Sequence, residues 1–437
     1  LEAYQRATRL DPGDPELTLD VARAEERAGD TEAALLQLQR VISTSASGDA
    51  LREARSRRAK LLARAGRPEK HVFSAYHELF VHHPEAQQYL EDLENYCQNH
   101  GGHERSRRFL DGVTYDALLQ TPGRPFVSYF ELARRMGHSD RAFCLAALAR
   151  FFGDVTPALE RYHERFASER RWPSAPIPRR ALTGDLLPDD CLEPVRTLMS
   201  EVEAGLGRAF YETPMDRYAH PNLKMSAPAN HSMERAFRWP TYFREELGEV
   251  YRAEQLEKGC IVLSADPVLL AVDGSWRRGH DPTALLVHLG RQLAYWKLGL
   301  GSWTWLDLRR RTDTLEKVVG TLSSGWSGTV EATRNDYLEW ADFDRWLNDH
   351  ADGRLREVAE RISGRMTPQG LERQLRLLEL GVDRLACVLL DDPLRYLPSA
   401  QYLGSDGGLL QQPWAFVVSP AYQSLREVDG VAVQAGQ

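Results

Sequence analysis

The sequence predicts a mainly α protein: an N-terminal α-solenoid of helical repeats, then a mostly helical α+β domain with a small sheet. Three observations predict it. A glycine returns at a near-constant interval through the first third, at Gly29, Gly66, Gly102 and Gly137, with spacings of 37, 36 and 35 residues. Amphipathic stretches flank those glycines, with apolar residues three and four apart. Only one place, residues 259–272, carries two short, dense apolar runs of the kind that make buried strands.

The totals agree with a protein of two or more domains. The chain has 437 residues, 42% hydrophobic and 27% charged, and no apolar run approaches the ~18 residues of a membrane span. Its net charge of -8 argues against nucleic acid as the main partner, because a phosphate backbone needs a concentrated basic face. The basic runs Arg55-Ser56-Arg57-Arg58 and Arg309-Arg310-Arg311 read as solvated helix faces or turns. The cysteines, Cys97, Cys144, Cys191, Cys260 and Cys387, are odd in number and never form C-x-x-C, which suits neither a disulfide framework nor a cysteine zinc site. With no signal-peptide pattern at the start, the expected compartment is the cytoplasm. The pattern opens mid-helix at Leu1, so further repeats before it are compatible with this reading.

Within residues 1–170, each turn glycine is expected to close one helix and admit a second. The first helices cover Leu17–Arg27, Leu51–Arg64 and Gln87–Asn99; second helices cover Glu32–Val41 and Glu69–Phe80. A glycine there supplies the left-handed residue on which the chain doubles back. Asp11-Pro12, Asp14-Pro15 and His83-Pro84 punctuate the units. His71, His77, His82 and His83 offer at most a two-histidine clip for a metal, and read as helix residues.

This rhythm resembles tetratricopeptide repeats, whose unit is ~34 residues. The opening Leu1-Glu2-Ala3-Tyr4 … Leu10-Asp11-Pro12 is similar to the second half of such a repeat. The resemblance implies a superhelix with a groove that grips another protein, and no chemistry of its own.

Residues 171–245 read as a proline-rich strap (Trp172 to Arg180) and a connecting helix from Pro188 to Arg208, with a long loop over 214–240. From 246 to 400 comes the second domain, and 401–437 reads as a C-terminal tail. Strands are expected at 259–263 and 268–272 around Asp266-Pro267. Asp281-Pro282 then starts a helix whose core stripe is Leu285, Leu286, Leu289, Leu293 and Trp296, with His288 and Gln292 four apart on its flank.

The segments "Ala-Leu-Leu-Val-His-Leu-Gly-Arg-Gln-Leu-Ala" and "Leu377-Leu378-Glu379-Leu380-Gly381-Val382-Asp383-Arg384-Leu385-Ala386" together resemble the gluzincin metallopeptidases, over about 255–391. Those enzymes carry H-E-x-x-H on one helix and E-x-x-x-D on another. The resemblance implies that His288 matches the first histidine ligand, Glu379 the glutamate ligand and Asp383 its support. Leu289 stands where the general base is expected and Gln292 where the second histidine is expected. A zinc site of this kind needs three protein ligands, and a positioned base is worth roughly 10²–10⁴ in rate. The expected domain is therefore a peptidase-like pseudoenzyme with no cofactor; the alternative is a zinc-dependent hydrolase with non-standard ligands, His288 and Glu379 among them. On the reading of the residues alone, His288 is a packed histidine and Glu379 pairs with Arg376 or Arg384. The order of segments is also similar to large myxobacterial repeat proteins with a peptidase-like end.

No phosphate-binding or dinucleotide glycine motif is present, and Gly325-Trp326-Ser327-Gly328-Thr329 misses the hydrolase elbow at Thr329. Trp303, Trp305, Trp326, Trp340 and Trp346 read as core packing or a helix-surface anchor ahead of a carbohydrate platform. The function expected from all this is an adaptor or scaffold for protein–protein interaction.

Overall fold

The computed structural model describes residues 13–44, 48–83, 87–112, 125–168, 186–187, 191–225, 240, 246–254, 256, 259–265, 267–273, 283–328, 338–390, 392–396, 416–417, 419–428 and 432. Leu1 to Pro12, the proline-rich strap, Asp266, Asp281-Pro282 and residues 401–415 lie outside the described residues. The chain divides into two compact units. One comprises Leu1–Arg170, Val418–Gln423 and Val433–Gln437; the other comprises Arg171–Val417 and Ser424–Ala432. The protein is mainly helical, with a small three-stranded sheet among the described residues.

In the first unit, helices α1 (Pro15–Ala28), α2 (Thr31–Thr44), α3 (Asp49–Arg64), α4 (Glu69–His82), α5 (Gln87–Asn99), α6 (Gly102–Asp111), α7 (Phe126–Arg135), α8 (Ser139–Phe152) and α9 (Pro157–Ser168) follow in order. Asp14 caps α1, its carboxylate accepting from the Glu16 and Leu17 N–H groups, with Pro15 in the first turn. Gly29, Gly66, Gly102 and Gly137 all take positive φ. At three of them the closure is the same. The residue after the glycine donates to a carbonyl five back (Asp30 to Glu25, Arg67 to Leu62, His138 to Ala133), while the glycine N–H donates three back. Gly153 closes α8 in this way too. Gly102 differs: it is the first residue of α6 rather than the end of α5.

Successive first helices pack on one another, α1 on α3, α3 on α5 and α5 on α7. Ion pairs bridge each step: Arg23–Glu53 (3.0 Å) and Arg57–Glu26 (3.1 Å), then Lys60–Asp92 (2.8 Å), then Arg135–Glu94 (3.3 Å). The second helices are bridged likewise, Glu69 of α4 meeting Arg105 and Arg108 of α6, and Asp111 of α6 meeting Arg141 of α8. Solvent-screened pairs of this kind contribute little stability. Stability comes from cores such as Leu19, Ala22, Ala34, Leu38, Val41 and Ala54. The run Arg55–Arg58 is thus not a free solvated face, since Arg55, Arg57 and Arg58 all have carboxylate partners. Among the described residues no single helix is long and apolar enough to cross a membrane. The bent pair α8–α9 reaches that apolar length together, but α8 is a core helix, buried from Asp140 to Ala149.

The second unit holds α10 (Glu193–Ala209), the short α11 (Pro214–Tyr218), strands β1 (Leu247–Ala253), β2 (Cys260–Ala265) and β3 (Val268–Asp273), and helices α12 (Thr283–Lys297), α13 (Leu308–Leu322), α14 (Trp340–His350), α15 (Gly353–Ser363) and α16 (Pro368–Leu389). The helix expected from Pro188 starts at Glu193. The loop expected over 214–240 begins with α11, which Thr213 and Asp216 cap reciprocally. The expected tail contains a helix, α17 (Pro420–Val428). The sheet order is β1-β3-β2, with β3 parallel to β1 and antiparallel to β2. β1 was not expected. Its Gly248, Glu249 and Arg252 dilute the apolar signal, and its outer edge is met by Lys224 and Met225. The α12 stripe packs against β2 on one side and α16 on another. Trp303 is fully buried, its indole N–H donating to the Met199 carbonyl.

Candidate functional site

The residues that matched the peptidase pattern lie on α12 and α16, and they fall into two groups. His288 and Gln292 lie at the β2 edge of α12. Glu379 and Asp383, one turn apart on α16, face Arg291 and Tyr295, one turn apart on α12.

Gln292 is buried, and its amide completes the outer edge of β2. The side-chain oxygen accepts from the Val262 N–H (2.5 Å), and the nitrogen donates to the Cys260 carbonyl (3.2 Å). An amide carries a donor and an acceptor side by side, as a neighbouring strand does, so it can satisfy both. The same nitrogen lies 2.5 Å from His288 Nε2, which therefore accepts. The glutamine at this position thus has a backbone to serve, and the imidazole nitrogen is engaged by an amide.

Glu379 is the centre of the second group. Its Oε1 accepts from Tyr295 Oη (2.6 Å) and from Arg311 Nη1, and its Oε2 accepts from Arg291 Nη2 (2.5 Å). Arg291 Nε reaches Asp383 Oδ1 at 3.1 Å. Arg311 is itself held by the carbonyls of Trp303 (2.7 Å) and Leu306 (2.9 Å), and it donates to Tyr295 Oη (2.7 Å). Its guanidinium also lies over the Tyr295 ring. The Glu379 and Asp383 side chains keep 13% and 9% of their surface. Neither Arg376 nor Arg384 partners Glu379, as one reading of the residues expected. Arg376 bonds Glu372 within the helix, and Arg384 donates to the Leu186 carbonyl. Arg311, the last residue of the basic run Arg309–Arg311, is buried rather than solvated.

The electrostatics follow from this count. Burial alone raises a carboxyl, but Arg311 and Arg291, with the Tyr295 hydroxyl, overcome it and hold Glu379 down at about 2. Asp383 is pushed up to about 6: burial dominates, Arg291 works against it, and the neighbouring Glu379 charge adds to it. Burial lifts Tyr295 and Tyr396 well above the usual phenol range. Two guanidiniums against two carboxylates leave no net charge. Tyr396 is fully buried beside this group, and its hydroxyl has no hydrogen-bond partner among the described residues.

A zinc ion, which the metallopeptidase resemblance implies, does not suit these residues. Every oxygen of Glu379 is engaged by a cation or a hydroxyl, and a further dication would meet two guanidiniums. Among the described residues no three His, Cys, Asp or Glu groups converge as a ligand set. What the arrangement does is tie α12, α13 and α16 together through a closed set of charge-assisted hydrogen bonds. Arg291, Tyr295 and Arg311 were missed by the sequence reading. A charged residue interrupting the apolar α12 was the signal available for Arg291; nothing local distinguished Arg311 from Arg309 and Arg310.

No protein-family model, no curated protein and no solved structure matches this chain.

Proposed function

We propose that this chain is an adaptor or scaffold that binds another protein through its first unit, a tetratricopeptide-like solenoid. The second unit, on this reading, is a peptidase-like domain without catalysis, metal or other cofactor. One observation supports the reading most: first helices stack in series with ion pairs bridging each step, and glycines of positive φ recur at 35–37 residues. Helix pairs stacked in series present an extended surface and no enclosed pocket, which is the geometry of protein recognition. Support for an inactive second unit comes from Leu289 in place of a base and from the engagement of Glu379 by two arginines.

The test uses photo-crosslinking amino acids placed at exposed positions of the full chain in its source cells. Arg52 and Glu91 probe first helices, Leu36 and Lys70 probe second helices, and Arg345 probes the second unit. The proposal expects one recurrent protein adduct from one row of helices and none from Arg345. Adducts absent from every position of the first unit would refute it.

A further inference from the structure

Burial lowers several imidazoles of the first unit, His82 and His83 at the end of α4 among them, and raises two carboxyls of the second. In the first unit two imidazoles are built into junctions between helices. His77 of α4 stacks flat on Phe109 of α6, with centroids 4.1 Å apart, and its Nδ1 lies 2.9 Å from the Tyr129 hydroxyl of α7. Phe73, Phe80, Phe109 and Tyr129 pack around it as buried rings, and its Nε2 is buried with no partner among the described residues. A second proton would place a cation inside this aromatic cluster, with the Phe109 backbone carbonyl to offset its burial. His138, at the α7–α8 turn, lies 2.7 Å from the Ser106 hydroxyl of α6 through Nε2 and packs on the His103 ring. The charged groups that bear on it, Arg141 and Arg107, are both positive, and Asp111 is already committed to Arg141.

We propose that mild acid opens the first unit selectively, releasing the His77 and His138 junctions while the second unit stays folded.

Burial pushes His77 down to about 4, with only the Phe109 carbonyl opposing. Burial, helped by His103, Arg141 and Arg107 and opposed by the His103 backbone, pushes His138 to about 4. The sign follows. A base lowered by folding contributes stability that is complete above about 6.5 and is lost as pH falls towards about 4. The second unit runs the other way. Burial lifts Asp383 to about 6 and Glu203 to about 7; Glu203 accepts from the Ser302 N–H with one oxygen, and its other oxygen has no partner among the described residues. A carboxyl raised by folding favours the fold more as pH falls through that window. Glu379 gives way only below about 4.5. The inference concerns the fold of the first unit and holds whatever that unit binds.

The test exploits the sequence. All ten tryptophans, from Trp172 to Trp414, fall in the second unit. Tryptophan emission therefore reports that unit, while far-ultraviolet circular dichroism reports both. On titrating the full chain from pH 7.5 to 4, helix signal is expected to fall between pH 6 and about 4.5 with emission unchanged. The pair His77→Phe and His138→Gln is expected to lower that midpoint by about one pH unit. Emission shifting in step with helix loss, or an unmoved midpoint in the variant, would overturn the proposal. Should the variant misfold, hydrogen exchange of the unaltered chain at pH 7 and 5, corrected for intrinsic rates, decides instead. Protection must fall across 69–82 and 126–152 and persist across 308–322 and 368–389; loss in both units together refutes selective opening.

Discussion

Replacing Glu379 by glutamine keeps its shape and removes its charge, leaving Arg291 and Arg311 buried against one carboxylate. The cost can be worked from the structure in two ways. Glutamine stands in for the neutral carboxyl, and the fall of this group from 4.5 to about 2 on folding corresponds to about 3 kcal/mol. Removing one partner of a buried ion pair costs about 3–5 kcal/mol by general experience. Urea unfolding followed by tryptophan emission isolates the second unit. With a slope of about 3 kcal/mol per molar, the midpoint should fall by about 1 M. The sign with pH is fixed: a lowered carboxyl contributes above about 4.5 and loses its contribution as pH falls towards about 2. The gap between the parent and Glu379→Gln should therefore be full at pH 6 and close on acidification. A midpoint unchanged at pH 6 would refute the reasoning, and so would a gap that did not narrow in acid.

Two further outcomes follow from the same cluster and its neighbour. Gln292→Ala strips the Val262 N–H and the Cys260 carbonyl of their partner, at about 1–3 kcal/mol for each buried group left unpaired; tryptophan-detected melting should show a lower midpoint, and Gln292→Glu should be no better because a carboxylate faces the carbonyl. Asp383, raised from 3.8 to about 6, makes the second unit less stable as pH rises through that interval; unfolding midpoints across pH 4 to 6 should show a slope that Asp383→Asn flattens.

Local rules made much of the fold legible. Asp14-Pro15, the turn glycines and the apolar stripe Leu285–Leu293 each act within a few residues, so their helices could be read from spacing alone. β1 escaped because only two of its seven residues are buried and its partner β3 lies about twenty residues on. The site was legible only in part. His288, Gln292, Glu379 and Asp383 could be picked out by pattern, but their meaning depends on what faces them. Arg291 faces Glu379 across 88 residues and Arg311 across 68, and separations of that size leave no periodic trace. Arg311 illustrates this best: in sequence it ends a run of three arginines, and only the fold turns it inward while Arg309 stays exposed.

The most direct test of the claim that the second unit holds a self-neutralised cluster in place of a metal centre is elemental analysis of the full chain, purified without a histidine tag or chelator. The account predicts zinc and other transition metals far below one per chain, with unfolding unchanged by added chelator. Zinc near one per chain that disappears in Glu379→Ala would contradict it.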